Sequence, residues 1–364
     1  MCNAFHNLHT TPPTMASLLP PELISSVLDQ LIKSSPGHQP IYHPSHPVTK
    51  TLQALSLTSK AIYPIAIKYL YRHCLYLNDC ISYACFRRAL GLDLGFNHPQ
   101  SLAHGQSARS ATWDEEEIPK CITSIFISPM GLPSTPMGAP TCETERTPYT
   151  PLVRLKHIVS LFRTIGPTLK RLVLDMQPIY SPHSEAQDSV SRGSTHVFVS
   201  MPKLEELVAS YDALDHFHVA PPNLKRLAIT VDNMHKAAMR FIFAASALEM
   251  LIVLRPKEFS AADIDKLFAA YKGQSLDIVF VDVNANHGTP PDTRDWTDED
   301  SVRIWEADVP TSFYGDEDEL ILCDDSIWRG AVEGTLWSLE GKRRMASWNE
   351  VQRRLAGPVH QVVG

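Results

Sequence analysis

Histidines are the residues of this chain whose spacing comes closest to a metal site. His38, His43 and His46 fall within one short stretch, and His216 and His218 would share one side of a strand because side chains alternate there. Zinc sites in proteins take four ligands, commonly with thiolates or carboxylates among them. None stands near the first three histidines, and no third ligand is implied for the other pair. The sequence therefore predicts no metal ion and no cofactor.

The cysteines and the acidic residues do not form a recognisable reactive site either. No two of the seven cysteines have the Cys-x-x-Cys spacing, which favours reduced, partly buried thiols in an intracellular protein. The acidic residues within 295–325 lack the alternating Asp or Asn positions and the central glycine of a calcium loop. Motifs of serine hydrolases, nucleotide-binding loops and zinc proteases are absent as well. We therefore expect a protein that is not an enzyme.

Length, composition and charge narrow the class of protein. The chain has 364 residues, enough for one large domain or two ordinary ones. Its 44% hydrophobic and 20% charged residues are typical of a globular protein with a core. A formal net charge of −7 argues against nucleic-acid binding, which needs a basic surface. The sequence shows no signal peptide and no apolar run of the ~20 residues that span a membrane, so we expect a cytoplasmic or nuclear protein without membrane partners.

Three short helices are predicted first, within residues 18–72. Pro20 and Pro21 suit the start of a helix, since first-turn residues donate no intrahelical hydrogen bond. Apolar residues then recur at helical spacing and outnumber what three short helices can bury among themselves. So small a unit rarely forms a sufficient core alone, and we expect it to complete its core against another protein. Prolines within 32–51 predict a surface loop inserted between the first two helices.

A short pattern of the form L-x-x-L-x-L then returns six times. The copies begin at Ile122, Leu169, Leu204, Leu224, Leu248 and Leu276. The last four start 20, 24 and 28 residues apart, within or near the range of leucine-rich repeats. A single repeat cannot bury its leucines, but stacked neighbours can. The pattern therefore predicts a short curved solenoid of strands and helices.

Residues between the leucines should form rows on the concave face of that solenoid, because side chains alternate along a strand. The first three rows are charged or mixed, and their polar members are Arg171, Asp175, Glu206, Ser210, Arg226 and Thr230. The next two rows are almost entirely apolar and read Met250-Ile252-Leu254 and Ile278-Phe280-Asp282. We expect the polar members to bind a protein substrate. The apolar rows should be an interface or be covered.

The tail of the chain, residues 292–364, differs in composition from the repeats. It holds five of the six tryptophans and is rich in acidic residues. We expect it to fold back over the two apolar rows as a cap; the rival hypothesis makes those rows the substrate groove. The predicted domains are a disordered N-terminus (1–17), a helical module (18–72, insertion 32–51), a repeat region (73–291) and an acidic, Trp-rich cap (292–364).

The helical module resembles the F-box and is similar to the F-box proteins abundant in filamentous fungi. The likeness rests on Leu19-Pro20-x-Glu22-Leu23-Ile24-x-x-Val27-Leu28-x-x-Leu31, followed by Leu55-Ser56-Leu57-Thr58-Ser59-Lys60-Ala61. F-box modules dock onto the Skp-type adaptor of cullin–RING ubiquitin ligases. The resemblance implies docking through Leu19, Pro20, Glu22, Leu23, Val27, Leu28, Leu31, Leu55, Leu57, Ser59, Lys60 and Ile62.

The resemblance implies a non-catalytic substrate-recognition subunit of an SCF-type ligase. The expected fold is mixed α/β: a three-helix F-box, a short irregular leucine-rich-repeat-like solenoid and a Trp-rich C-terminal cap. Two features depart from the family, namely the insertion 32–51 and Ile62, where tryptophan is usual. The lost aromatic contact could be worth ~1–3 kcal/mol. An alternative therefore stays open, a leucine-rich-repeat interaction or scaffold protein with a vestigial F-box and no ligase role.

Overall fold

The structure is a computed structural model that describes residues 20–32, 39–92, 117–130, 153–175, 196–210, 213–214, 217–230, 240–242, 244–254, 275–283, 301–309 and 319–345. These residues form a mixed α/β fold, in which nine strands make one sheet and helices pack on both of its faces. We call the sheet with its packed helices the body. Residues 1–17, predicted to be disordered, and Leu19 lie outside the described residues.

Seven α-helices lie within the described residues. They are α1 (Pro21–Leu31), α2 (Pro47–Ser56), α3 (Tyr63–His73), α4 (Cys80–Ala89), α5 (Glu117–Cys121), α6 (Leu155–Ile165) and α7 (Glu319–Glu333), with a 3-10 turn at Val197–Ser200. Helices α1, α2 and α3 each carry proline at one of their first two positions, where a missing N–H costs no intrahelical bond. These three helices form the N-terminal helical module.

The strands follow one another in the sheet in the order of the chain. They are β1 (Tyr76–Asp79), β2 (Ser124–Met130), β3 (Arg171–Leu174), β4 (Glu206–Ser210), β5 (Arg226–Thr230), β6 (Met250–Leu254), β7 (Leu276–Val283), β8 (Val302–Val309) and β9 (Arg343–Arg344). The first eight are parallel, and β9 is antiparallel to β8. The six L-x-x-L-x-L segments supply β2 to β7. Parallel neighbours need a crossover between them, and α6 provides it from β2 to β3.

One face of the sheet carries a ladder of aliphatic side chains. Leu172, Leu207, Leu227, Leu251 and Ile278 are paired in register from β3 to β7, and each is fully buried. Helices α4 and α6 pack on this face. The repeated leucines therefore form the main core of the protein.

The prediction for the fifth concave row is wrong by one residue. Ile278 and Phe280 lie on the ladder side of β7, while Asp277, Val279 and Val281 lie on the opposite face. The strand is apolar on both faces, so its hydrophobic pattern does not fix which residues point to which side.

The sheet continues past the boundary predicted at residue 292. Strand β8 pairs with β7 along its whole length and brings Trp305 into the sheet. Helix α7 and the residues after it then cross the second face of the sheet, where Ile327, Ala331 and Trp337 pack on it. We call residues 319–345 the cover segment.

The insertion 32–51 is only in part the surface loop that its prolines predicted. Pro47 begins α2 inside it, because proline is excluded from a helix interior but suits the first turn. Ile41 and Tyr42 are buried, at 1% and 9% exposure. Residues 43–46 remain exposed, so the described insertion is a surface loop that is anchored at Ile41 and Tyr42 and leads into α2.

Candidate docking surface and the covered face of the sheet

The helical module has a small hydrophobic core of its own. Leu28 of α1, Leu52 of α2 and Tyr69 of α3 are buried in it. The hydroxyl of Tyr69 donates to the carboxylate of Asp29 over 2.6 Å, which ties α3 to α1. Burial, together with this hydrogen bond, raises the pKa of Tyr69 to about 12.

Large apolar side chains are exposed on the outside of this module. Leu23 is 53% exposed, Val27 66% and Leu57 86%, and Tyr63 at the start of α3 is also exposed. Within the described part of the chain, only two other large apolar side chains are exposed, and both lie outside the module. Such a concentration is typical of a surface that another protein covers.

The residues predicted to dock an adaptor differ in their exposure. Those on the surface are Pro20, Glu22, Leu23, Val27, Leu57 and Lys60. Leu31, Leu55, Ser59 and Ile62 are half-buried. Val27 and Leu28 are neighbours in sequence but point about 100° apart around a helix, so Leu28 lies in the module's core and is not offered to a partner. Leu19 is outside the described residues.

The second motif block builds the turn between α2 and α3. The hydroxyl oxygen of Ser59 accepts the amide of Ile62 over 3.2 Å, just before α3 begins. Leu55 packs against the module's core, as Leu31 does from α1. Leu57 and Lys60 are exposed, so a partner can reach both of these predicted docking residues.

The charged rows of the sheet lie under the cover segment and are paired within the chain. Glu206 is 3.3 Å from Nε of Arg171 and 3.2 Å from a terminal nitrogen of Arg226. The indole of Trp337, in the cover segment, donates to the same carboxylate over 2.9 Å. The guanidinium of Arg226 lies 6.0 Å from the centre of the Trp337 ring. These four residues, the Glu206 cluster, join β3, β4 and β5 to the cover segment.

Arg171 is the most deeply buried member of the Glu206 cluster, at 5% exposure. Its guanidinium also donates to the backbone oxygen of Ala331 in the last turn of α7, where the helix dipole favours a cation. Burial lowers the pKa of Arg171, and the charge of Glu206 opposes that shift. A buried guanidinium needs an anion beside it, and Glu206 on the next strand provides one.

The expectation that the polar rows lie open to a partner is corrected by this arrangement. The cover segment reaches the charged rows as well as the apolar ones, because Val173 and Val208 belong to the same cluster as Trp337. Ser210 is fully buried, Arg171 nearly so, and Glu206 and Arg226 are engaged by the cluster. Asp175 accepts a hydrogen bond from Ser128 at 2.9 Å, and the backbone of Thr230 lies in register with that of Ser210 across β4 and β5. Substrate binding by these residues stays a prediction that would require the cover segment to leave the sheet.

Two further charged groups lie on β7 to β9, one on each face of the sheet, and neither was anticipated from the sequence. Asp277 accepts two hydrogen bonds from Arg303, at 2.8 and 2.7 Å, and one from the indole of Trp305 at 2.8 Å. Farther along β8, Glu306 pairs with Arg343 at 2.5 Å. The sequence held one signal, an aspartate within an apolar strand, because a buried carboxylate requires partners.

Metal-binding groups and membrane-spanning helices were the remaining features to place among the described residues. Among them, no group of three or more His, Cys, Asp and Glu side chains could hold a metal ion. None of the helices in this part of the chain is long and apolar enough to cross a membrane. What the geometry offers is an exposed apolar surface on the helical module and charges that are paired internally on the sheet.

Comparisons with protein-family models, with curated proteins and with solved structures give no match to this chain.

Proposed function

We propose that this chain is a non-catalytic substrate-recognition subunit of a cullin–RING ubiquitin ligase, docked to a Skp-type adaptor by its helical module. The observation that carries the proposal is the exposure of Leu23, Val27 and Leu57 on a module whose core is filled without them. The resemblance of the module to the F-box supports the identity of the partner.

Burial of these three side chains would supply a large share of the docking free energy. Fully burying a leucine or valine side chain is worth about 1.5–3 kcal/mol. More than half of each side chain is exposed in the free chain. Covering all three would contribute about 4 kcal/mol, which is roughly a thousandfold in affinity.

The body supports a leucine-rich-repeat interpretation of residues 73–291. Parallel strands in chain order, with leucines paired in register from strand to strand, are what stacked repeats would give. In this proposal the body carries the substrate. Because α7 and the residues just after it occupy the second face of the body, substrate contacts come from surfaces that the cover segment leaves open.

Co-purification of the full chain with a Skp-type adaptor tests the proposal. Wild-type protein should retain the adaptor, whereas Leu23→Asp and Val27→Asp should each weaken binding by at least ~100-fold, since an apolar contact is lost and a carboxylate must be desolvated. Leu28→Asp is unsuitable here, because Leu28 is 1% exposed and the change would disrupt the module's own core.

Val199→Asp and Ile81→Asp are matched controls outside the module. These side chains are 52% and 48% exposed, close to the 53% of Leu23, so the same change alters the surface without touching the docking helices. Both controls should bind the adaptor as the wild type does. Failure of the wild type to bind, or equal losses in controls and docking variants, would overturn the ligase proposal and favour an interaction protein with a vestigial F-box.

A further inference from the structure

Ile41 and Tyr42 are consecutive residues that belong to two different hydrophobic clusters. Ile41 lies in the cluster between the sheet and the cover segment, which also contains Leu336. Tyr42 lies in the core of the helical module, together with Leu52 and Tyr69. Two adjacent residues of the insertion thus enter the body on one side and the helical module on the other.

Backbone hydrogen bonds hold both sides of this junction. The amide of Ile41 donates to the carbonyl oxygen of Val332 in the last turn of α7 over 2.7 Å. The amide of Tyr42 donates to the carbonyl oxygen of His73 at the end of α3, also over 2.7 Å. Carbonyls in the last turn of a helix have no intrahelical partner, so Ile41 satisfies an acceptor that would otherwise need another donor.

The end of α7 is in turn fixed to the sheet. The oxygen of Ala331, next to Val332, accepts from Arg171 of β3. Just after the helix, Gly334 has a φ of +79°, and a Cβ there would lie 3.2 Å from the backbone nitrogen of Gln39. The insertion therefore passes directly against this turn, and a side chain at position 334 would press on the backbone of Gln39.

We propose that residues 39–46 are a strut that fixes the orientation of the helical module on the body, with Ile41 and Gly334 as positioning residues. The connection from α3 into β1 already joins the module to the body, and Tyr71 of α3 packs against Phe86 of α4 in the main core. An interface this small leaves some rotation open, as is usual between domains. The strut adds a separate attachment at the end of α7. Its consequence for a ligase rests on the proposed function: the substrate-carrying body would be held at a set angle to the adaptor.

Two pairs of substitutions separate positioning from ordinary stability. Gly334→Ala pushes on Gln39, whereas Gly341→Ala is its control, because Gly341 has nearly the same φ, +76°, and a Cβ there would meet nothing within 4 Å. Ile41→Ala removes buried contacts of the strut. Val48→Ala is its control, since Val48 is buried only in the module's own core.

The measurement is the distance distribution between spin labels on Gln30 of α1 and Lys156 of α6 in the full chain. Both sites are exposed, and the labels are attached by non-cysteine chemistry because Cys85 is exposed. Wild type, Gly341→Ala and Val48→Ala should give a narrow distribution. Gly334→Ala and Ile41→Ala should broaden it beyond the wild-type width, because the attachment at the end of α7 is lost while the contact of α3 with the main core remains. The distances of a variant are interpreted only if its circular dichroism spectrum matches that of the wild type. If Ile41→Ala does not fold, the comparison of Gly334→Ala with Gly341→Ala suffices.

A narrow distribution in both Gly334→Ala and Ile41→Ala would overturn the strut, and so would equal broadening in the controls. Adaptor binding is measured in parallel and should be unchanged in both strut variants, because neither residue lies among the exposed docking side chains. If the wild type fails to bind a Skp-type adaptor while the distances behave as expected, the strut stands and the proposed function fails.

Discussion

Replacing Glu206 with glutamine removes one charge from the centre of the Glu206 cluster and leaves its shape almost unchanged. Glutamine keeps an oxygen that can accept from the indole of Trp337. The anion between Arg171 and Arg226, at 3.3 and 3.2 Å, is lost. Arg171, 5% exposed, then becomes a buried cation facing a second arginine.

The expected loss of stability follows from how deeply these charges lie. Removing one partner of a buried ion pair costs about 3–5 kcal/mol. The side chains of Glu206 and Arg226 keep 15% and 26% exposure, so water relieves part of that cost. We expect Glu206→Gln to lower the free energy of unfolding by about 2–3 kcal/mol.

Glu205→Gln is the matched control one residue away. Glu205 lies 3.7 Å from Lys225, and the two side chains are 43% and 42% exposed. Solvated pairs of this kind contribute about 0–1 kcal/mol. Urea unfolding of the three proteins, followed by circular dichroism, measures both changes. Equal losses in the two variants, or a loss below about 0.5 kcal/mol for Glu206→Gln, would refute the reasoning.

Three further outcomes are expected. Burial, followed by the charge of Arg72, lowers the pKa of His73 from 6.5 to about 4. The unfolded chain then takes up the proton first, so stability should fall by about 3 kcal/mol as the pH drops from 6.5 to 4. Urea titrations should show that slope in the wild type and not in His73→Gln; the same slope in both would contradict it. Leu28→Ala should cost about 2–4 kcal/mol of stability and Leu23→Ala under about 0.5 kcal/mol, with calorimetric unfolding as the check and equal costs as the contrary result. Trp337→Phe keeps a ring but loses the donor to Glu206, so it should cost about 1–2 kcal/mol and speed amide exchange in the last turn of α7; unchanged exchange there would count against the cluster's role in holding the cover segment.

The sheet could be predicted from the sequence because leucines recur at a fixed spacing. Each of the strands β3 to β6 carries one leucine of the ladder, namely Leu172, Leu207, Leu227 or Leu251. The register between the strands follows because all four leucines must be buried on the same face of the sheet. Three helices could be predicted for the helical module for a similar reason, since apolar residues recur there at helical spacing. The start of α2 at Pro47 could not, because proline marks a helix start as readily as a loop.

The remaining features depend on contacts between distant parts of the chain. The phase of β7 could not be predicted, because Ile278 and Val279 are both apolar and only the neighbouring strands decide which one joins the ladder. The insertion gave no sign that Ile41 would meet Val332, about three hundred residues later. The sequence also did not predict that the cover segment buries Arg171. A row of charged residues is expected to face solvent unless its partners are known, and Glu206 lies on a different strand.

Titration calorimetry of the purified full chain with a purified Skp-type adaptor tests the central claim most directly. We predict a Kd of about 1 µM or tighter and a negative heat-capacity change, because the exposed docking side chains are apolar. Leu23→Asp should abolish the heat, and Val199→Asp should leave it unchanged. A wild-type chain that is folded and gives no binding heat at any temperature would contradict the claim.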